Sequence, residues 1–443
     1  MIAKYLSLAT AMLLSVAVSA QNPFIKGQFT ADPTARVFNG KMYVYPSHDI
    51  PAPADKPNLR KDWFCMEDYH VFSSENLTDW TDHGVILSQE QVPWVNADTY
   101  SMWAPDCTYR DGMYYLYFPA IVKPDSTTRR FGMMIGVAIS DRPDGGFVPM
   151  AEPIKGVYGI DPCTLIDDDG QAYLYWSGRG MHGARLKSNM LQLDSEPVAI
   201  EDLPQGSMKE GPFVFKRNGK YYFTYPWVPV EGETQNLSYA MGDNPLGPFE
   251  YKGLIMDQSP TECWTNHHSI VEYKGEWYLF YHHNDYSPHF DKNRSARIDK
   301  IHFNDDGTIR KVTPTLRGVG ITTATSEIQL DRYSELSKTG AAIAYNDTTD
   351  YFAGWKTILN EKDAYVRYDD VDFGTGLTSV SAQIVEGKGT LQVKVDGKIV
   401  AEIAAEKAGL VTIPVKNLPQ GVHNLSVSLA GRGQIAIDWI KFQ

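Results

Sequence analysis

The sequence predicts an all-β protein, a five-bladed β-propeller followed by a β-sandwich of jelly-roll type. Three observations predict it. One strand–turn–strand unit recurs five times between residues 35 and 281. Helical periodicity is scarce along the whole chain. After residue 326 the recurring unit stops, while alternating strand patterns continue to the end.

The recurring unit is a hairpin. It reads "ARVFNGKMYVY", "CTYRDGMYYLY", "CTLIDDDGQAYLY", "FVFKRNGKYYFTY" and "SIVEYKGEWYLFY". Each copy has a short apolar strand, a turn ending in glycine and an aromatic strand, the pattern of a tight β-hairpin. The turn glycines are Gly40, Gly112, Gly170, Gly219 and Gly275, and a tyrosine stands three residues after each. Periodicity on this scale marks a repeat architecture. Second hairpins follow between copies, as in "RRFGMMIGVAIS" and "NLSYAMG". Four strands per unit, repeated radially, make a propeller. A β-helix or sandwich is the competing arrangement, and the long, uneven period disfavours the β-helix. The propeller is assigned to residues 21–322 and the sandwich to residues 327–443.

Among 443 residues, 54 Asp and Glu outweigh 41 Lys and Arg, for a net charge of −13. That balance argues against nucleic-acid and anionic-membrane partners. Lys4 precedes the apolar run "YLSLATAMLLSVAV", which ends at the small residues "VSA". This pattern assigns residues 1–20 as a signal peptide and predicts export to the periplasm or beyond, with no membrane contact after cleavage. The four cysteines form no CxxC pair and read as buried thiols.

A charged residue stands six to nine residues before every turn glycine: Asp32, Asp106, Asp161, Glu210 and His267. If these hairpins carry the innermost strands, equivalent positions on all blades face one channel. Packing does not ask for carboxylates there, because like charges in a dry funnel repel and lose solvation. Asp106 is offset from the others and reads as structural or substrate-orienting. The sequence has no G-x-S-x-G, P-loop or H-E-x-x-H motif. Carboxylates in a funnel suit glycoside hydrolysis, which needs one carboxylic acid to protonate the leaving oxygen and one carboxylate as base or nucleophile.

The segments "TADPTARVFNGKMYVY", "SMWAPDCTYRDGMYYLYFP", "GIDPCTLIDDDGQAYLYWSG", "KEGPFVFKRNGKYYFTY" and "NHHSIVEYKGEWYLFYHH" together resemble glycoside hydrolase family 43. The resemblance implies an inverting glycosidase that releases arabinofuranosyl or xylosyl units from plant-type polysaccharides or oligosaccharides. It implies Asp32 as general base, Glu210 as general acid and Asp161 as the residue that orients Glu210 and tunes its pKa. His267 matches a channel histidine near a central calcium or water cluster, though Asn266 stands where members often have glycine. Trp103 and Arg294 fall where members contact substrate. A non-catalytic sugar-binding propeller and a retaining fructan-type hydrolase are the alternatives.

The C-terminal segments "YVRYDDVDFGTG", "GVHNLSVSLAG" and "IAIDWIKF" resemble carbohydrate-binding module family 6. Such modules hold a structural calcium, and Asp331 and Asp438 lie near the matching places. The usual aromatic platform is replaced by Ala408-Gly409-Leu410. Tyr351, Phe352 and Trp355 are the aromatics left to supply one.

Overall fold

The computed structural model describes residues 21–124 and 132–443. The export segment read in residues 1–20 lies outside the described residues. Among these, no helix is long and apolar enough to cross a membrane. The fold is all-β, and five antiparallel sheets come first.

The first blade contains Phe29–Phe38, Lys41–Asp49, Met66–Ser74 and Thr81–Ser88 in sequential order. The second contains Asp106–Arg110, Met113–Ile121, Met133–Ser140 and Val148–Pro149, and the third Ile160–Ile166, Ala172–Gly178, Gly180–Leu186 and Val198–Ala199. The fourth contains Phe213–Arg217, Lys220–Val228, Asn236–Gly242 and Glu250–Met256, with the short strand Met208–Lys209 added beside the second of these. The fifth departs from the four-strand expectation with Ser269–Tyr273, Glu276–His283 and Ser295–Ile301. Residues 22–30 cover its free edge: Phe24 N–H donates to the Ala296 carbonyl and Thr30 N–H to that of Arg294. An open row of backbone groups is thereby satisfied, and the last blade is tied to the first.

Turn chemistry sets the hairpins. Asn218 and Gly219 both have positive φ, 50° and 76°, which closes a two-residue loop without splaying the strands. The third hairpin is wider. Its Asp167 N–H donates to the Gln171 carbonyl, which accommodates the extra aspartates of "DDDG". The first strands of successive blades neighbour one another around the ring, and that of the fifth meets that of the first. They therefore line the central channel, as the sequence predicts. Apolar clusters fill the spaces between blades, for example Tyr45, Trp94 and Phe118 between the first and second, and Tyr175, Phe223 and Tyr281 across the third to fifth. Complete burial of each such side chain contributes roughly 1.5–3 kcal/mol. All four cysteines are buried and unpaired.

Past residue 322 two sheets share the long strand Ser379–Val395. Its first half pairs with Gly409–Pro414 and Gln434–Phe442, its second with Lys398–Ala405 and Val422–Leu429. The strand changes sheets at Gly387, where φ is 94° and a Cβ would stand 2.0 Å from the Gln434 carbonyl oxygen. Ile384, Leu391, Val393, Leu425, Ile437 and Phe442 fill the space between the sheets.

The sandwich packs on the fifth blade. Tyr345 Oη donates to the Asp285 carbonyl at 2.7 Å, and the Phe352 ring lies 4.8 Å from Phe29 and 4.9 Å from Tyr286. Trp355 sits 5.3 Å from Tyr286 and carries the Arg332 guanidinium 4.2 Å over its ring. Two of the three aromatics left for a sugar platform, Phe352 and Trp355, are therefore spent on the joint between domains.

Candidate active site

Asp32 and Asp161 lie near the start of the first strands of blades one and three. Both have positive φ, 47° and 56°, and both precede proline, a position biased towards extended backbone. The register slips beside each: between Ala31 and Thr34, and between Tyr175 and Ser177 opposite Ile160. A bulge held in this sparsely populated conformation turns the carboxylate out of the ladder and into the channel. Glu210 precedes Gly211, whose φ is 55°. A Cβ at Gly211 would stand 3.2 Å from His267, so glycine lets the two blades approach.

These three carboxylates line one cavity of about 220 Å³ with His267, Trp103 and Arg294. Trp63, Phe64, Met66, Met208 and Trp264 supply much of its apolar wall. Six of the eight site residues expected from sequence thus meet at one place. Asp331 and Asp438 do not; they lie in the sandwich.

The surroundings of Asp32 differ from those of the other two carboxylates. Arg294 donates to it from Nη1 at 3.0 Å and Nη2 at 3.3 Å, and Ser47 Oγ from 2.7 Å. Burial pushes the Asp32 carboxyl up, but the charge of Arg294, then His267, His282 and the Ser47 hydrogen bond bring it down to about 2. Asp49 fixes Arg294 in turn, accepting from Nε at 2.9 Å and Nη2 at 2.9 Å. Asp161 lacks a cation of this kind. Burial, then the charges of Glu210 and Asp32, hold its carboxyl well above the usual range, against the Gly211 N–H at 3.0 Å and Ser177. Burial also raises Glu210, opposed by a hydrogen bond from Gln235 Nε2 at 2.5 Å. One carboxylate held ionised and two biased towards their protons make an acid–base asymmetry within one pocket.

Asp106 is structural. It accepts from the Arg36 guanidinium at 2.7–3.0 Å and from Thr164 N–H and Oγ1, both at 2.6 Å, so it ties blades one, two and three together. His267 Nδ1 lies 3.6 Å from Asp32 and 3.9 Å from Asp161, and burial lowers its pKa. His267 offers a nitrogen donor, whereas calcium takes oxygen donors. In the sandwich, Asp331 Oδ1 is buried without a partner and Asp438 lies close enough to raise the Asp331 carboxyl, which burial and that charge push up to about 6 against Arg332. That donor set suits a hard cation better.

Asp49, Gln235, Phe64 and Trp264 escaped the sequence reading. None stands at the repeated position before a hairpin, and Asp49 reaches Arg294 across 245 residues.

The family model for glycosyl hydrolases family 43 matches residues 20–309. Xylosidase/arabinosidase 43A of Humicola insolens is 40% identical over 336 residues, 65% of this chain and 98% of that protein. A crystal structure of a family 43 β-xylosidase/α-arabinofuranosidase from a compost microbial metagenome, in complex with xylotriose, superposes with a TM-score of 0.58 at 36% identity, over 67% of this chain and 98% of the other. The arabinoxylan arabinofuranohydrolase of Bacillus subtilis is alike in fold over 97% of this chain and 100% of its own, with a TM-score of 0.56 at 22% identity. With the propeller matched across its five blades, the chain belongs to glycosyl hydrolases family 43.

Proposed function

We propose that this glycosidase is of the β-xylosidase/α-arabinofuranosidase type, releases single pentose units from the ends of plant-type oligosaccharides or polysaccharides, and inverts the anomeric centre. Asp32 takes a proton from water as the water oxygen attacks the anomeric carbon. Glu210 gives its proton to the departing glycosidic oxygen. Asp161 orients Glu210 through the Gly211 N–H, and repulsion between the two carboxyls disfavours ionising both at once. Trp103 and Arg294 contact the bound sugar.

The observation that carries this reading is the contrast between two carboxyls in one pocket: Asp32 is held by the Arg294 guanidinium at 3.0 Å, whereas Glu210 has the neutral Gln235 amide as its partner at 2.5 Å. A binding propeller has no use for that asymmetry. The names of the similar proteins support the pentose. The small cavity, walled by Trp63 and Phe64, supports end-on action. The enzyme acts after export, and the sandwich is a packed accessory domain. Asp331 and Asp438 would hold a structural calcium, which would cross-link the entry of the sandwich.

Proton NMR of xylobiose or aryl arabinofuranoside hydrolysis tests the proposal. Initial release of the inverted anomer is expected. Initial release of the retained anomer would assign Asp32 as a nucleophile instead, and no turnover of either pentoside would remove the substrate class.

A further inference from the structure

We propose that His48, Asp68 and His70 form a binding site for a borderline divalent transition metal, with Zn²⁺ as the type case, on the first blade outside the catalytic pocket. One donor atom from each of the three lies within 4.8 Å of the others, and they are the one such group of three among the described residues. All three are largely shielded, with side-chain exposures of 19%, 12% and 13%.

The strand pattern brings them together. Asp68 and His70 are two apart on Met66–Ser74 and so share a face of the sheet. His48 is on the neighbouring strand, where the register slips between Ser47 and Asp49. His48 Nδ1 meets Asp68 Oδ1 at 2.7 Å, and the two imidazole rings stand 5.1 Å apart and nearly perpendicular. A metal ion replacing the proton shared by His48 and Asp68 would gain both atoms after a small widening. His70 is already oriented for the third bond: Asp82 holds its Nδ1 at 3.0 and 3.2 Å, which leaves Nε2 as the donor. A carboxylate behind a histidine ligand is the usual means of fixing its tautomer and ring plane. Two imidazoles and one carboxylate favour Zn²⁺, Ni²⁺ or Cu²⁺ over calcium or magnesium, which take oxygen donors.

The location suggests what the ion does. His48 is one residue from the end of its strand and Asp68 near the start of the next. Residues 50–65 leave and return between them, carrying Trp63 and Phe64 to the pocket wall. An ion bridging His48 and Asp68 would clamp the base of this loop.

The test is calorimetric titration of chelator-stripped, untagged full-length protein with ZnCl₂ and separately with CaCl₂. One equivalent of Zn²⁺ is expected to bind with micromolar or tighter affinity, and His48→Gln/His70→Gln to weaken it at least tenfold without changing turnover in metal-free buffer. Asp82→Asn, which removes no ligand, is expected to weaken binding about tenfold. Absence of saturable Zn²⁺ binding by the wild-type protein would overturn the proposal, as would unchanged binding in the double variant. Equal binding of Ca²⁺ and Zn²⁺ that His48→Gln/His70→Gln leaves intact would place the metal elsewhere.

Discussion

Gln235 donates from Nε2 to Glu210 Oε1 at 2.5 Å, while its own Oε1 accepts from the Asn266 N–H at 2.8 Å. The amide bridges the fourth blade to the stretch that carries His267, and it holds Glu210 in place. Its hydrogen bond stabilises the ionised carboxylate and so opposes the upward push of burial. Gln235→Leu is therefore expected to move the alkaline limb of the kcat/KM profile upward by roughly one pH unit, because one pH unit corresponds to about 1.4 kcal/mol, near the strength of one charge-assisted bond. Activity at the optimum should fall about tenfold through lost orientation. A profile that falls in height without shifting would limit Gln235 to packing.

Replacing Glu210 by Gln should cost about 10²–10⁴-fold in turnover of xylobiose, the range for losing a general acid. The loss should be much smaller for a p-nitrophenyl pentoside, whose leaving group departs without a proton. The measurement is the ratio of the two losses. Equal losses on both substrates would take Glu210 out of the protonation step.

What was legible in the sequence follows from which interactions are local. Asn218-Gly219 and its four counterparts announce hairpins because turn geometry is set by adjacent residues. Asp32, Asp161 and Glu210 were legible because repetition gives equivalent positions on different blades the same orientation. His267 was legible for the same reason, whereas Trp103 and Arg294 came with the family resemblance. Asp49 and Gln235 were not legible, since each acts through a partner that only ring closure brings near. The same limit explains Phe352 and Trp355. Their aromatic character is plain in the sequence, but the surface they cover, Phe29 and Tyr286, belongs to another domain.

Asp32 links catalysis to acid stability. Its folded pKa, about 2, lies below the unfolded carboxyl value near 3.9. The unfolded chain binds the proton more tightly, so this group contributes fully above about pH 4 and its contribution is lost as pH falls through 2. The difference amounts to roughly 2–3 kcal/mol. Asp32→Asn should abolish detectable turnover and lower stability at pH 7 by about that much, since it also leaves the buried Arg294 with fewer acceptors. Urea unfolding at pH 7 and at pH 3 should show the gap between variant and wild type narrowing at the lower pH. A gap that widens there would reverse the assigned direction.

The sandwich offers the last test. Asp331 Oδ1 is buried with no hydrogen-bond partner, beside Arg332 and within the influence of Asp438. An unsatisfied buried carboxylate oxygen costs stability unless something pairs with it, and a hard cation is the partner its chemistry suits. Chelation should therefore lower the melting temperature, and added Ca²⁺ should restore it. Asp331→Asn should remove this calcium dependence while leaving kcat on small pentosides unchanged, because the residue is remote from the pocket that Asp32 and Glu210 line. If the melting temperature of the wild-type protein is the same with chelator and with calcium, Asp331 binds no cation, and the unpartnered oxygen is instead a standing cost of the joint with Arg332.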